Sequence, residues 1–193
     1  MGVVKTWQLD AHKTASPIDH PDASITPVKL SFGSLKKVAE VNVTSNTTQV
    51  TITGLDIKAD KFYLIVFTTK NPTATSGWVS MYVEADTTAA NYYSQYFHAT
   101  GTGLAGGLYN AAYIGHVDSG DRNAFIVWLV RDPDGYPRFN CYAMRKTGSG
   151  TEINLNSGSK TATVTNITRL DFIHDVAGGI GAGSKIIIYG ASG

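Results

Sequence analysis

AFIVWLVRDPDGYPRFNCYAMRK, residues 124–146, reads as two strands and the turn between them. Ala124 to Val130 is an unbroken apolar run rich in β-branched and aromatic residues. It is far shorter than the roughly 20 residues of a membrane helix. Asp132-Pro133-Asp134-Gly135 is a tight-turn signal, with proline presetting one φ and glycine accepting the next. Residues 137–146 then alternate apolar and polar, so they pair back as a hairpin. A run apolar on both parities predicts a strand covered on both faces. FYLIVF, residues 62–67, has the same character and predicts a second such strand.

Outward from this hairpin the same period-2 pattern recurs. VAEVNV (38–43), TQVTIT (48–53), WVSMYVE (78–84), YYSQYFHA (92–99), LYNAAYIGHV (108–117), ATVTNITRLDFIH (162–174) and KIIIYG (185–190) all read as strand. NPTATSG (71–77) and GTGLAGG (101–107) read as loops, and TGSGTEINLNSGSKT (147–161) as a polar excursion. Short strands with regular turn signals and no long helix predict an all-β fold. Strand number and length favour a jelly-roll-like antiparallel β-sandwich over an immunoglobulin-like one. That domain is expected over residues 37–193. Residues 1–36 differ, because Pro17, Pro21 and Pro27 fall there without a regular apolar period. They read as an extended N-terminal arm used for anchoring or oligomerisation.

Composition agrees. Of 193 residues, 42% are hydrophobic and only 16% charged, against about 25% charged in an average domain. Such a chain can bury a core, which excludes general disorder. A net charge of +1 supplies no field for nucleic acid or an anionic membrane, so neither is expected as a partner. The single Cys141 excludes an internal disulfide framework and reads as a small buried residue. MGVVKT at the start matches a myristoylation pattern only superficially, and no apolar stretch of signal-peptide length follows.

Motifs of catalysis are weak. GGIGAGSK (178–185) has the wrong residue order for a phosphate loop and precedes a strand rather than a helix, so it reads as a structural turn. Asp132 and Asp134 lack the further acidic ligands of a calcium loop. His12, His20, His98, His116 and His174 show no zinc-site spacing, although folding could bring His98 and His116 together. No nucleophile elbow, triad or paired-carboxylate pattern stands out. The expectation is a non-enzymatic protein with no cofactor, no metal and no catalytic residues.

Two segments resemble virion proteins of tailed phages and other prokaryotic viruses. ITRLDFIHDVAGGIGAGSKIIIYG (167–190) resembles the closing segment of phage fibre, spike and minor structural modules. DHPDASITPVKL (19–30) resembles linker units of fibre shafts and virion-anchoring arms, once rather than in tandem and with Ala23 where glycine is usual. YVEADTTAANYYSQYF (82–97) is similar to a middle piece of such modules. The resemblance implies a virion structural protein, a surface spike, fibre tip or decoration subunit, frequently a homotrimer. It would dock on other virion proteins through its arm and leave room for a host glycan or receptor on its loops. Partner contacts are expected at Trp7, Ile18, Ile25, Val28 and Leu30 in the arm, and at Trp78, Tyr92, Tyr93 and Tyr96 in the domain. The alternative is a carbohydrate-binding module or lectin-like adhesin outside a virion. A surface depolymerase is the weaker third reading.

Overall fold

The computed structural model describes residues 35–100, 103–147 and 150–191. Twelve strands appear in the order β1 Leu35–Asn42, β2 Gln49–Thr53, β3 Phe62–Lys70, β4 Gly77–Val83, β5 Tyr92–Thr100, β6 Gly103–Tyr109, β7 Tyr113–Val117, β8 Arg122–Arg131, β9 Pro137–Thr147, β10 Gly150–Lys160, β11 Arg169–His174 and β12 Lys185–Ala191. One short α-helix, α1, spans Ile57–Asp60 and is N-capped by the Asp56 carboxylate. The strands form two antiparallel sheets packed as a sandwich. The larger has the order β1-β12-β3-β8-β9-β10-β5-β6, and the smaller β2-β11-β4-β7.

The pairings nest. β1 pairs with β12, β2 with β11, β3 with β8 and β4 with β7. Two hairpins are inserted into this scheme, β5–β6 between β4 and β7, and β9–β10 between β8 and β11. Both join the larger sheet beyond β8 and extend it well past the width of the smaller one.

Between the sheets lies one apolar core. Tyr63, Ile65 and Phe67 of β3 and Phe125, Val127 and Leu129 of β8 face Val79 and Met81 of β4 and Leu170 and Phe172 of β11. These are the alternate residues of each strand, as a pleated sheet requires. The Phe67 ring sits 5.5 Å from that of Phe172 in an edge-on contact across the two sheets.

Several expectations change here. Residues 103–107 of the expected loop GTGLAGG, and 150–160 of the expected polar excursion, form strand, as β6 and β10. The run 108–117 is split, with β6 ending at Tyr109 and β7 starting at Tyr113. Leu35 and Lys36, read as arm, pair with Ala191 and Gly190 in β1. The two doubly apolar runs are buried on one face only: Trp128 and Val130 of β8 stay exposed, and Phe62, Leu64 and Val66 of β3 only half-buried. The expected contacts Trp7, Ile18, Ile25, Val28 and Leu30 lie outside the described residues.

The GGIGAGSK segment is a structural turn. Gly183 takes a left-handed φ of 86°, and the turn is laced to the β1–β2 connection and the end of β3. Thr47 and Ile180 exchange backbone bonds, Gly183 N–H donates to Val43 O, and Ser184 Oγ accepts from Lys70 N–H. The Asp132 turn is equally self-contained. Its carboxylate accepts from Tyr136 N–H and from Arg138 Nε.

Candidate interaction surfaces

The extension of the larger sheet is held to the edge of the smaller one by polar side chains. β7 is an edge strand, and an unpaired strand edge buried in protein leaves carbonyls to satisfy. Asn156 Nδ2 on β10 donates to Ile114 O at 3.1 Å, and Asn123 Nδ2 on β8 donates to His116 O at 2.6 Å. Arg145 on β9 makes a two-pronged contact with Asp118, at 2.7 and 2.8 Å, and reaches Glu152 on β10 at 3.2 Å. At the other end of β10 the buried Lys160 pairs with Asp86 and lies over the Tyr92 ring.

Held this way, β5 and β6 meet the outward side of the smaller sheet. Trp78 of β4 stacks on Tyr113 at 4.9 Å and meets Tyr96 at 6.0 Å, Tyr109 at 5.7 Å and His116 at 5.1 Å. Tyr92 is fully buried against Tyr82, and its hydroxyl accepts from Val83 N–H and donates to Asp86 O. Burial pushes the Tyr92, Tyr109 and Tyr113 hydroxyls up. It pushes the His116 imidazole down, with Arg145 adding to the effect.

The expected contact residues therefore part company. Trp78 and Tyr96 come together as half-buried internal packing, and Tyr92 is fully buried apart from them, against Tyr82. Tyr93, one residue along β5, points the opposite way and is 59% exposed. His98 packs on Tyr96 within β5, and His116 lies by Trp78 in β7. Among the described residues no group of three or more His, Cys, Asp or Glu side chains is placed to hold a metal ion. Cys141 is buried, and desolvation pushes its thiol well above the usual range.

The opposite side of the extension is an open apolar surface. Register places Ile126, Tyr142, Leu155 and Phe97 in one row across β8, β9, β10 and β5. A second row runs Ala124, Met144, Ile153, Ala99 and Leu104, reaching β6. A third runs Trp128, Asn140, Ser157, Gln95 and Leu108. Ten of the eleven exposed large apolar side chains of the described residues stand on this surface. Charged neighbours stay at its rim, Arg138 at one end and Arg122 at the other.

A groove of about 600 Å³ crosses one end of the same surface. Tyr93, Leu108 and Arg138 wall it, and Gln95, Asn110, Asn140 and Ser157 supply donors and acceptors. Ser157 Oγ donates to Asn140 Oδ1 at 2.6 Å, which fixes one of those amides. A second depression of about 550 Å³ lies near Lys70 and Arg122, and Arg145 on its wall is engaged by Asp118 and Glu152.

Of this surface only Tyr93 is among the contacts expected from the sequence. Leu155, Ile153, Tyr142, Met144, Trp128 and Leu108 were missed. Only Trp128 carried a signal in the pattern, as the second parity of a strand apolar on both sides; Ile153 and Leu155 sit on a strand whose other parity is polar, and Leu108 on a glycine-rich one. No family model matches this chain, and no curated protein aligns with it significantly.

Proposed function

We propose that this chain is a non-enzymatic structural subunit of a virus particle, a surface spike, fibre-tip or decoration protein that works as a homo-oligomer, with a trimer as the expected form. In this reading the sandwich is an eight-stranded jelly roll carrying two inserted hairpins. The nested pairing of β1–β4 with β12, β11, β8 and β7 supports that, since a jelly roll is an antiparallel ribbon of strand pairs rolled into two sheets. The single observation that carries the functional reading is the uncovered apolar face of the extension. Patches larger than a few hundred Å² are rare on monomers and mark places where proteins assemble. The virion context rests on the resemblance of residues 19–30 and 167–190 to phage structural modules. Residues 1–36 are then the arm that docks on the particle or on a neighbouring subunit.

The test is particle association. Tryptic peptides of this chain should be found in purified virions from the producing host. Deleting residues 1–30 should remove the protein from particles while the sandwich still unfolds cooperatively. Particles that lack the protein altogether sink the reading.

A second reading, a carbohydrate-binding module, is favoured by the groove. An exposed tyrosine beside amides, a hydroxyl and an arginine is the equipment for stacking on a sugar ring and bonding its hydroxyls. Micromolar binding of the monomeric protein to a defined glycan on an array, lost in Tyr93→Ala, would move the assignment to it.

A further inference from the structure

We infer that the outer face of β8, β9, β10, β5 and β6 is buried against a second copy of this chain. This rests on the oligomer of the reading above but makes it a pair in place of a trimer, because a face that meets its own copy closes as a two-fold dimer, and it holds with or without a virion.

The first observation is the sequence pattern. β8 is apolar on both parities, as a strand buried on both of its faces is written. The smaller sheet covers only one of its two faces, and Trp128 and Val130 stand exposed on the other. β10 states the same thing more sharply, because it is inverted. Its inward side chains include Glu152, Asn154 and Asn156, and its outward ones include Ile153 and Leu155. A strand that turns its polar residues inward and its aliphatic residues outward is written for an apolar surface on its outer side.

The second observation is size. The ten outward side chains expose between 38% and 81% of their surface. Four of them are aromatic, and with roughly 150–250 Å² taken for each large side chain and about half of it exposed, the ten present on the order of 1,000 Å². A standard stable interface takes about 800 Å² from each partner.

The third observation is charge. Centre positions such as Phe97, Leu155 and Tyr142 are uncharged and charges are confined to the rim, which is the anatomy of an interface core and its border. A neutral apolar face is complementary to itself, and a chain of net charge +1 meets its copy with almost no long-range repulsion. Two such sheet faces can stack at about 10 Å with their side chains interleaved.

The full-length chain answers the question. Sedimentation equilibrium from 1 to 100 µM should give an oligomer for the wild type. Leu155→Glu should shift it to monomer mass and raise the dissociation constant at least a hundredfold, with far-UV circular dichroism and cooperative unfolding unchanged. Ser157→Glu, nearer the polar end of the face, should weaken association less. For the occupant, Phe97 is replaced by photoreactive p-benzoylphenylalanine. Irradiation should give a product of twice the chain mass, cross-linked to the same face of another copy. A wild type that stays monomeric at 100 µM overturns the inference, as does an oligomer whose mass ignores Leu155→Glu. A cross-link within one chain to residues 1–34 overturns it as well, since the arm would then be the occupant. Particle association is measured separately, so its loss would remove the virion reading and leave this one standing.

Discussion

Asn156 on β10 donates its side-chain amide to the Ile114 carbonyl on β7, and this 3.1 Å bond closes part of the open edge of the smaller sheet. Both partners are fully buried, so water cannot replace the bond. Asn156→Asp keeps the shape but sets a carboxylate oxygen against that carbonyl. A loss of about 2–4 kcal/mol at pH 7 is expected from the unmet acceptor and the buried charge. The loss should recede in acid. A buried aspartate has its folded pKa raised, and the protonated side chain can donate again. The penalty is therefore full at neutral pH and fades as pH falls through that raised pKa. Urea melts of the variant and wild type at pH 7 and pH 5 measure it. A constant difference between the two would refute the assignment.

How much of this was legible beforehand depended on which side of each strand faced the core. TQVTIT, KFYLIVFTT and KIIIYG follow the rule of apolar inward residues, and their strands fall close to where the pattern puts them. β10 breaks the rule, since Asn154 and Asn156 are spent inside while Ile153 and Leu155 point out. Read for an inward apolar face, EINLNSGSK looks like a polar loop. β6 is hidden for another reason. Its Gly106 and Gly107 lie against Tyr96, where a Cβ on Gly107 would come within 2.9 Å of the ring. The glycines signal close packing by a neighbour that no local window contains. The contact residues were legible only in part for the same cause: Tyr92 and Tyr93 look alike in sequence, and one step along β5 puts them on opposite faces.

Gly158 lies directly opposite Phe139 in the β9–β10 ladder. A Cβ built on Gly158 would stand 2.2 Å from the Phe139 ring, which is buried in the core. Gly158→Ala should therefore cost about 1–3 kcal/mol by forcing the ring out of its seat. Phe139→Leu in the same chain should recover part of that loss, so a double-mutant cycle should show a coupling above about 0.5 kcal/mol. Strictly additive effects would mean that the ring is not what Gly158 makes room for.

Asp171 is buried on the outer side of the smaller sheet and carries a dense set of donors. Thr51 Oγ1 and Gln49 Nε2 donate at 2.6 and 2.8 Å, and Arg169 grips both oxygens at 2.9 Å. Burial alone would raise its pKa, but Arg169, Thr51 and Gln49 more than offset that and hold it below the usual carboxylate range. Asp171→Ala should cost about 3 kcal/mol, near the lower end for a broken buried pair, because Arg169 can turn to water. Asp171→Asn should lose less, since it keeps an acceptor for Thr51. Chemical denaturation at pH 7 separates the two. A cost below about 1 kcal/mol for alanine would show that the network is incidental.

Stability should also fall on mild acidification, before the carboxylates respond. His174 is fully buried, its Nδ1 accepting from Val176 N–H at 3.0 Å, and burial holds its pKa down. His116 is lowered as well, by burial first and by Arg145 second, with Asp118 opposing. In the unfolded chain both titrate near 6.5. Below that pH the unfolded state takes up protons that the folded state refuses, so stability drops as pH falls from about 7. The drop levels off once pH passes below the depressed folded values. The carboxylates of Asp86, Asp132 and Asp171, also held low, add their own loss only nearer pH 4. The urea midpoint should thus be flat from pH 8 to 7 and decline steadily from 7 to 5. His116→Gln should shallow that slope, and a midpoint that does not change across the window would show that neither imidazole is protected in the fold.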